Sequence, residues 1–258
     1  MNTNQTFFHK YELPLFFLLT YLLSWWTVPF MNGGLFPYGP ALAAAIVVAL
    51  IAGAQGLRDF WQRLTSLRAG WWYLIGPTII AAYLLVAFGV NLLFGATMVN
   101  PFPFPSIGTL AILLVAGGLW EEPGWTGYAL AKLQERFASQ TYGTLAATLV
   151  VGFFRGLWHL PLVVNDTITW YDALFFSLAL QIIISWVYNK SKSNIMAAMV
   201  THYSSNVFTG YTMLLVFTGI EKTNYYTLFV FFACVAASVI IWKSRFQLGL
   251  EKTFDQTI

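Results

Sequence analysis

Apolar stretches long enough to cross a bilayer follow one another along most of this 258-residue chain, and no other feature limits its fold as much. At 1.5 Å of rise per residue, a helix needs roughly 20 apolar residues to span about 30 Å of hydrocarbon. Runs of that kind occupy about 13 to 31, 37 to 55, 70 to 95, 107 to 137, 141 to 164, 169 to 189, 194 to 215 and 224 to 243. Charge is correspondingly scarce: 13 Lys/Arg and 10 Asp/Glu make 9% of the chain, where a soluble domain carries about a quarter. That deficit excludes a water-soluble globule. Disorder is excluded by 58% hydrophobic and 18% aromatic residues, the opposite of an unfolded chain's composition. The chain is therefore read as all-α, a polytopic integral membrane protein of about eight transmembrane helices forming one membrane domain over residues 1–258.

Between the second and third runs, Leu57, Phe60, Trp61, Leu64 and Leu67 share a helical face while Arg58, Arg63 and Arg68 add positive charge. Residues 56–69 are thus expected to form an amphipathic interfacial elbow. Basic residues then fall in alternate connections: Arg58/Arg63/Arg68, Lys132/Arg136, Lys190/Lys192 and Lys243/Arg245/Lys252. The connections near 32–36, 96–106, 165–168 and 216–223 hold one cation, Lys222. The positive-inside rule makes the basic side cytoplasmic, with both termini on it. The first run follows Lys10 and lacks a small-residue cleavage signal, so it reads as a retained span, and His9 reads as a solvated tail residue. The lone Cys234 permits neither a disulfide nor a thiolate cluster within the chain. A net charge of +3 gives no reason to expect a nucleic-acid partner.

Five ionisable side chains lie well inside apolar runs: Glu121, Glu122, Arg155, His159 and His202. Each costs at least about 2 to 3 kcal/mol at mid-membrane, which makes function their first explanation and a buried ion cluster that joins helices the alternative. In an antiparallel hairpin turning at Ala138–Thr141, positions equidistant from the turn share a depth. That register sets Glu121 opposite His159 and Thr126 opposite Arg155, while Arg155 and His159, four apart, share a face. His202 and Asn206 are likewise four apart on the seventh run. Glycines at 117, 118, 124, 127, 152 and 156 let backbones approach closely, and Pro123 should bend the fourth helix. A carboxylate among these groups could act as general base toward water. Glu121, His159 and His202 also make a sufficient ligand set for a catalytic zinc, and His202 with Asn206 could stabilise an oxyanion. No H-E-x-x-H or G-x-S-x-G motif occurs, and Ser204 and Ser205 share a helix with His202, a poor arrangement for a serine and its base. Asp172, beside Trp170 and Tyr171 near a run's end, reads as interfacial.

These residues resemble the CPBP intramembrane proteases, the family of the CAAX prenyl endopeptidases and bacterial Abi-type proteins. Its pattern is EExxxR, then FxxxH, then HxxxN or HxxxB, on three membrane helices in that order; here EEPGWT (Glu121 to Thr126), RGLWH (Arg155 to His159) and HYSSN (His202 to Asn206) stand in those places, within a likeness over about 107–210. The resemblance implies an intramembrane endopeptidase acting on a membrane-associated protein or peptide, including prenylated CAAX-type substrates. By position it implies a catalytic set of Glu121, Glu122, His159, His202 and Asn206, in which Glu121 and His159 activate water and His202 and Asn206 hold the oxyanion, with or without zinc. It places the protein in the plasma membrane of a bacterium or the endoplasmic reticulum of a eukaryote. Two positions depart from the pattern: Thr126 replaces its arginine and Arg155 its aromatic residue. Because these positions face one another, the guanidinium is expected to reach the glutamate pair from the opposite helix. A proton- or ion-coupled transporter and a catalytically silent scaffold or immunity-type homologue are the competing functions.

Overall fold

In hydrocarbon a backbone must satisfy its own hydrogen bonds, which leaves helices and closed barrels; this chain takes the first course. A computed structural model describes residues 3–99, 104–210 and 213–250, with side chains from Tyr11 onward. The side chains of His9 and Lys10, and all of Lys252, lie outside the described residues. The helices are α1 (Thr3–Trp25), α2 (Gly39–Leu64), α3 (Trp72–Leu93), α4 (Ile107–Ala116), α5 (residues 118–136), α6 (Gly143–Trp158), α7 (Leu160–Val164), α8 (Ser177–Lys190), α9 (Ile195–Gly210) and α10 (Gly219–Lys243). No strand occurs among the described residues. Four helices are long and apolar enough to cross a membrane: Gly39–Leu64, Trp72–Leu93, Asp172–Lys190 and Gly219–Lys243. Tyr11–Trp25 and Gly143–Trp158 are apolar but shorter.

The fourth apolar run is where the chain departs most from a plain span. Gly117 is extended (φ −88°, ψ 170°) and ends α4. The chain then winds as a 3-10 turn (Gly118–Glu121), a short α-turn (Glu122–Gly124), a π-helical stretch (Trp125–Leu130) and an α-helical end (Ala131–Arg136), all grouped here as α5. Pro123, expected to bend this helix, lies in the short α-turn of the irregular stretch, and the residue with extended backbone is Gly117, six residues upstream. The two glutamates sit at this irregularity, the kind of local winding common at functional sites.

A second irregularity is Gly53, whose φ of 62° and ψ of −154° break α2 internally. Beyond it, Leu57, Phe60, Trp61 and Leu64 turn back to line a cavity of about 480 Å³ with Leu42 and Ala45. The residues expected to form the elbow are thus helical as far as Leu64. Arg63 Nη2 donates to the Gly127 carbonyl (3.2 Å), within the π-helical stretch, and to the Tyr188 hydroxyl (2.9 Å).

α5 lies at the centre, touching α2, α6, α8 and α9, while α1 packs on α2, α3 on α9 and α10, and α6 on α8. Aromatic rings fill the space behind it: Phe16 of α1 meets Trp125 edge-on (5.8 Å) and Tyr128 (5.2 Å), and Phe17 stacks on Phe154 at 4.0 Å. Close approach of α2 to α5 depends on Gly124, where a Cβ would stand 2.3 Å from the Pro40 carbonyl oxygen. Because that obstacle is backbone, Gly124→Ala should cost about 1–3 kcal/mol. The check is a thermal melt in detergent, with a clear fall in Tm expected.

Candidate active site

The geometry begins with Glu122, which is fully buried, with Arg155 and Glu121 only 1% and 5% exposed. Glu122 Oε1 accepts from Arg155 Nη2 in a buried ion pair and from His202 Nδ1 at 2.7 Å. Its other oxygen, Oε2, accepts from the Thr126 hydroxyl at 2.5 Å. Three helices therefore meet at one carboxylate: α5 supplies Glu122 and Thr126, α6 Arg155 and α9 His202. Arg155 Nε lies 3.9 Å from Glu121 Oε2, so the guanidinium reaches both glutamates from the opposite helix, as the hairpin register required. Thr126 and Arg155, paired by that register, both contact Glu122.

Glu121 is placed differently. Its Oε2 is buried without a hydrogen-bond partner, as are Arg155 Nε and Nη1 and the indole nitrogens of Trp125 and Trp158. Trp125 lies under the guanidinium, its ring centroid 5.9 Å from Arg155 Cζ, and edge-on to Trp158 at 6.3 Å. Buried polar groups of native proteins are almost always bonded to protein or water, so these atoms mark where water or a polar substrate atom is bound. At Gly118, the site of a missing Cβ is 2.8 Å from both Glu121 Oε1 and His202 Nε2. A carboxylate oxygen and an imidazole nitrogen therefore flank one point, which only glycine leaves open. Nothing in the sequence distinguished Gly118 from the other glycines of this run.

His159 ends α6 at the junction with α7, one turn past Arg155. Its Nδ1–H donates to the Arg155 carbonyl at 2.9 Å. This bond fixes the tautomer, because a carbonyl can only accept, and leaves Nε2 with a lone pair in the neutral ring. For His202 the carboxylate of Glu122 holds Nδ1–H, so Nε2 is the nitrogen on the Gly118 side.

Glu121, His159 and His202 do not make the metal site that their residue types allow. Among the described residues no three His, Cys, Asp or Glu side chains converge into a metal-binding group. A guanidinium already lies against both carboxylates, with Arg155 Nη2 on Glu122 and Nε 3.9 Å from Glu121. The residues present do not fit zinc.

Asn206 lies on α9 one turn beyond His202 and lines a cavity of about 380 Å³ with Asp172, Thr167, Ser205, Leu113 and Tyr226. Asp172 is partly buried and accepts from the Tyr226 hydroxyl at 2.5 Å. Sequence position alone made Asp172 interfacial, yet it shares a cavity with the residue expected to hold an oxyanion. Thr167 places this cavity on the side of the 165–168 connection, away from the basic connections.

Residues 103–208 match the model of the family described as Type II CAAX prenyl endopeptidase Rce1-like. The chain is 26% identical over 276 aligned residues to the CAAX prenyl protease 2 of Methanococcus maripaludis, covering 92% of this chain and 96% of that protein. Over residues 103–208, then, the chain is similar to the Rce1-like family. Within the sequence pattern of these proteases, the exchange at positions 126 and 155 keeps a buried cation on Glu122, supplied here by α6.

Removing one member of a buried ion pair typically costs about 3–5 kcal/mol, because the remaining charge is left uncompensated. Arg155→Gln should therefore lower Tm strongly. The double variant Thr126→Arg/Arg155→Phe, which returns the cation to α5, should recover most of that loss. Melts of the wild type and both variants in the same detergent measure it, and a double variant no more stable than Arg155→Gln would contradict the exchange.

Proposed function

We propose that this protein is an intramembrane endopeptidase that hydrolyses a peptide bond in a membrane-associated protein, prenylated CAAX-type substrates included, by glutamate- and histidine-assisted attack of water. One observation carries the reading: of two adjacent buried glutamates, Glu122 is saturated by Arg155, His202 and Thr126, whereas Glu121 has an oxygen without a partner. The saturated carboxylate positions its neighbours. The open one is the general base.

In this mechanism water binds between Glu121 and the His159 Nε2 lone pair and attacks the scissile carbonyl carbon. Glu121 takes the water's proton while the carbonyl π electrons move to oxygen. His202, through Nε2, and the Asn206 amide from the next turn donate to that oxyanion. When the tetrahedral intermediate collapses, the C–N bond breaks and the amine leaves with the proton held by Glu121; the new acid then gives its own proton to Glu121 and on to the amine, leaving a carboxylate and an ammonium. The non-polar surroundings strengthen each of these interactions over its value in water.

Turnover of a quenched membrane-proximal peptide tests this. Glu121→Gln and His159→Ala should each lose about 10²–10⁴-fold in kcat, and Asn206→Ala about 10²–10³-fold, with Tm retained. Gly118→Ala should also lose activity while folded, since its methyl meets two movable side-chain ends rather than backbone. Because the donors do not form a metal group, 1,10-phenanthroline should leave turnover unchanged. Full activity in both Glu121→Gln and His159→Ala would overturn the function.

The alternate basic connections support cytoplasmic termini, which places the Asn206 cavity on the opposite face and decides from which side substrate arrives. Single cysteines at Asn165 and Arg245 in a Cys234→Ala background read this orientation. In intact cells an impermeant maleimide should label the cysteine at 165 and spare that at 245; the reverse pattern would invert the protein in its membrane.

A further inference from the structure

One carboxylate near the reaction site has no part in the hydrolysis described above. Asp172 opens the π-helical turn Asp172–Phe176 that leads into α8, and it lines the cavity of about 380 Å³ in which Asn206 stands. Its Oδ2 accepts from the Tyr226 hydroxyl, and its Oδ1 has no donor among the described residues. A carboxylate has room for about four hydrogen bonds, so this one is far from satisfied. Thr209, on α9 and only 8% exposed, lines the same cavity with a hydroxyl that is buried and has no partner. Two acceptors on different helical segments therefore face one cavity without a donor.

Charge decides what would satisfy them. Among the described residues Asp172 is the one charged group on this wall, and Tyr211 and Thr212, which follow Gly210 in the chain, are neutral. Aromatic rings make much of the remainder: Phe229 meets Tyr226 edge-on at 4.9 Å and Phe176 edge-on at 5.3 Å. Against such walls a carboxylate attracts a cation more strongly than it would in water. An adjoining cavity of about 640 Å³ shares Thr167, Ile168 and Tyr226 with this one and leads out past the exposed Trp170. It holds Asp166 and Lys222, one charge of each sign, so it leaves the charge of Asp172 unbalanced.

We propose that the cavity of Asp172 and Thr209 is a subsite for a basic side chain of the substrate, lysine or arginine, near the bond that is cleaved. The inference rests on the hydrolytic reading of the neighbouring site and adds which side chain that site prefers. The ammonium or guanidinium donates to Asp172 Oδ1 and to the Thr209 hydroxyl, while its methylenes lie along the rings of Phe229 and Phe176. Asn206 sets the subsite's place in the substrate. Its amide holds the oxyanion in the mechanism above and it lines this cavity, so the bound side chain belongs to a residue close to the scissile bond. Tyr226, by holding Oδ2, orients the carboxylate.

The test uses quenched peptides that carry lysine or norleucine, its uncharged counterpart of similar length, at each position in turn around the cleaved bond. At one position lysine should raise kcat/KM over norleucine by at least about tenfold, mainly through KM, as a charge-assisted hydrogen bond would. Asp172→Asn, which keeps an acceptor for Tyr226, should bring that ratio to about one. Thr209→Val, which removes a hydroxyl with no partner to lose, should lower it severalfold. Because the readout is a ratio, it does not depend on how much of a variant is folded. An active wild type that favours lysine at no position would overturn the subsite and leave the hydrolysis standing. So would a loss in Asp172→Asn shared equally by lysine and norleucine peptides, which is what a carboxylate serving only the start of its helix would give. If no peptide is cleaved, the hydrolytic reading fails and binding decides the subsite. In fluorescence anisotropy Glu121→Gln should then bind the labelled lysine peptide about tenfold more tightly than the norleucine peptide, a difference lost in Glu121→Gln/Asp172→Asn. Equal affinities would overturn it.

Discussion

The buried ion pair between Arg155 and Glu122 is the interaction around which the rest of the site is arranged. Neither residue could remain charged in this interior alone, since an isolated ion there costs several kcal/mol even after the protein relaxes. Together they hold α5 against α6, and the same carboxylate, through His202 Nδ1 and the Thr126 hydroxyl, ties α9 to both. With its oxygens occupied, Glu122 cannot serve a reacting water. It can fix the height of α5 so that Glu121, one residue earlier on an irregular turn, faces the atoms that lack partners.

The irregular winding explains how two adjacent glutamates can differ so much. In a regular α-helix, neighbours point about 100° apart and share one dielectric environment. Here the chain is extended at Gly117, tightens to 3-10 winding through Glu121, and widens to π winding from Trp125. The wide turn offers the Gly127 carbonyl to Arg63, which couples the segment after the Gly53 break to α5. The tight turn brings Gly118 under Glu121 and His202. Fold and site therefore meet in one 14-residue stretch, 117–130, where local hydrogen-bond regularity has been given up for side-chain placement.

Much of this could be read from the sequence, because the membrane makes ionisable residues conspicuous. Glu121, Glu122, Arg155 and His202 stood out as costly, and helical register alone set Thr126 opposite Arg155; both now share Glu122. The apolar runs foretold the helices, though the run from 107 to 137 is not a single one. What could not be read depends on direction and local winding. Apolar composition continues unbroken through Gly117, so nothing marks it as the place where α4 ends. Residue type qualified Glu121, His159 and His202 as zinc ligands, but spacing does not reveal that no three such side chains converge among the described residues. Asp172 looked interfacial because it is near a run's end, and only the packing of α8 against α9 and α10 brings it into the cavity of Asn206.

The central claim is a division of labour between adjacent carboxylates, one holding the structure and the other performing the chemistry. It is tested most directly by comparing the Tm of Glu121→Gln and Glu122→Gln side by side in one detergent. Neutralising Glu122 breaks the close ion pair and leaves Arg155 only the more distant Glu121 carboxylate, which should cost about 3 kcal/mol, a large fall in Tm, whereas neutralising Glu121 should leave Tm near that of the wild type. Equal losses, or a larger loss for Glu121→Gln, would contradict the account.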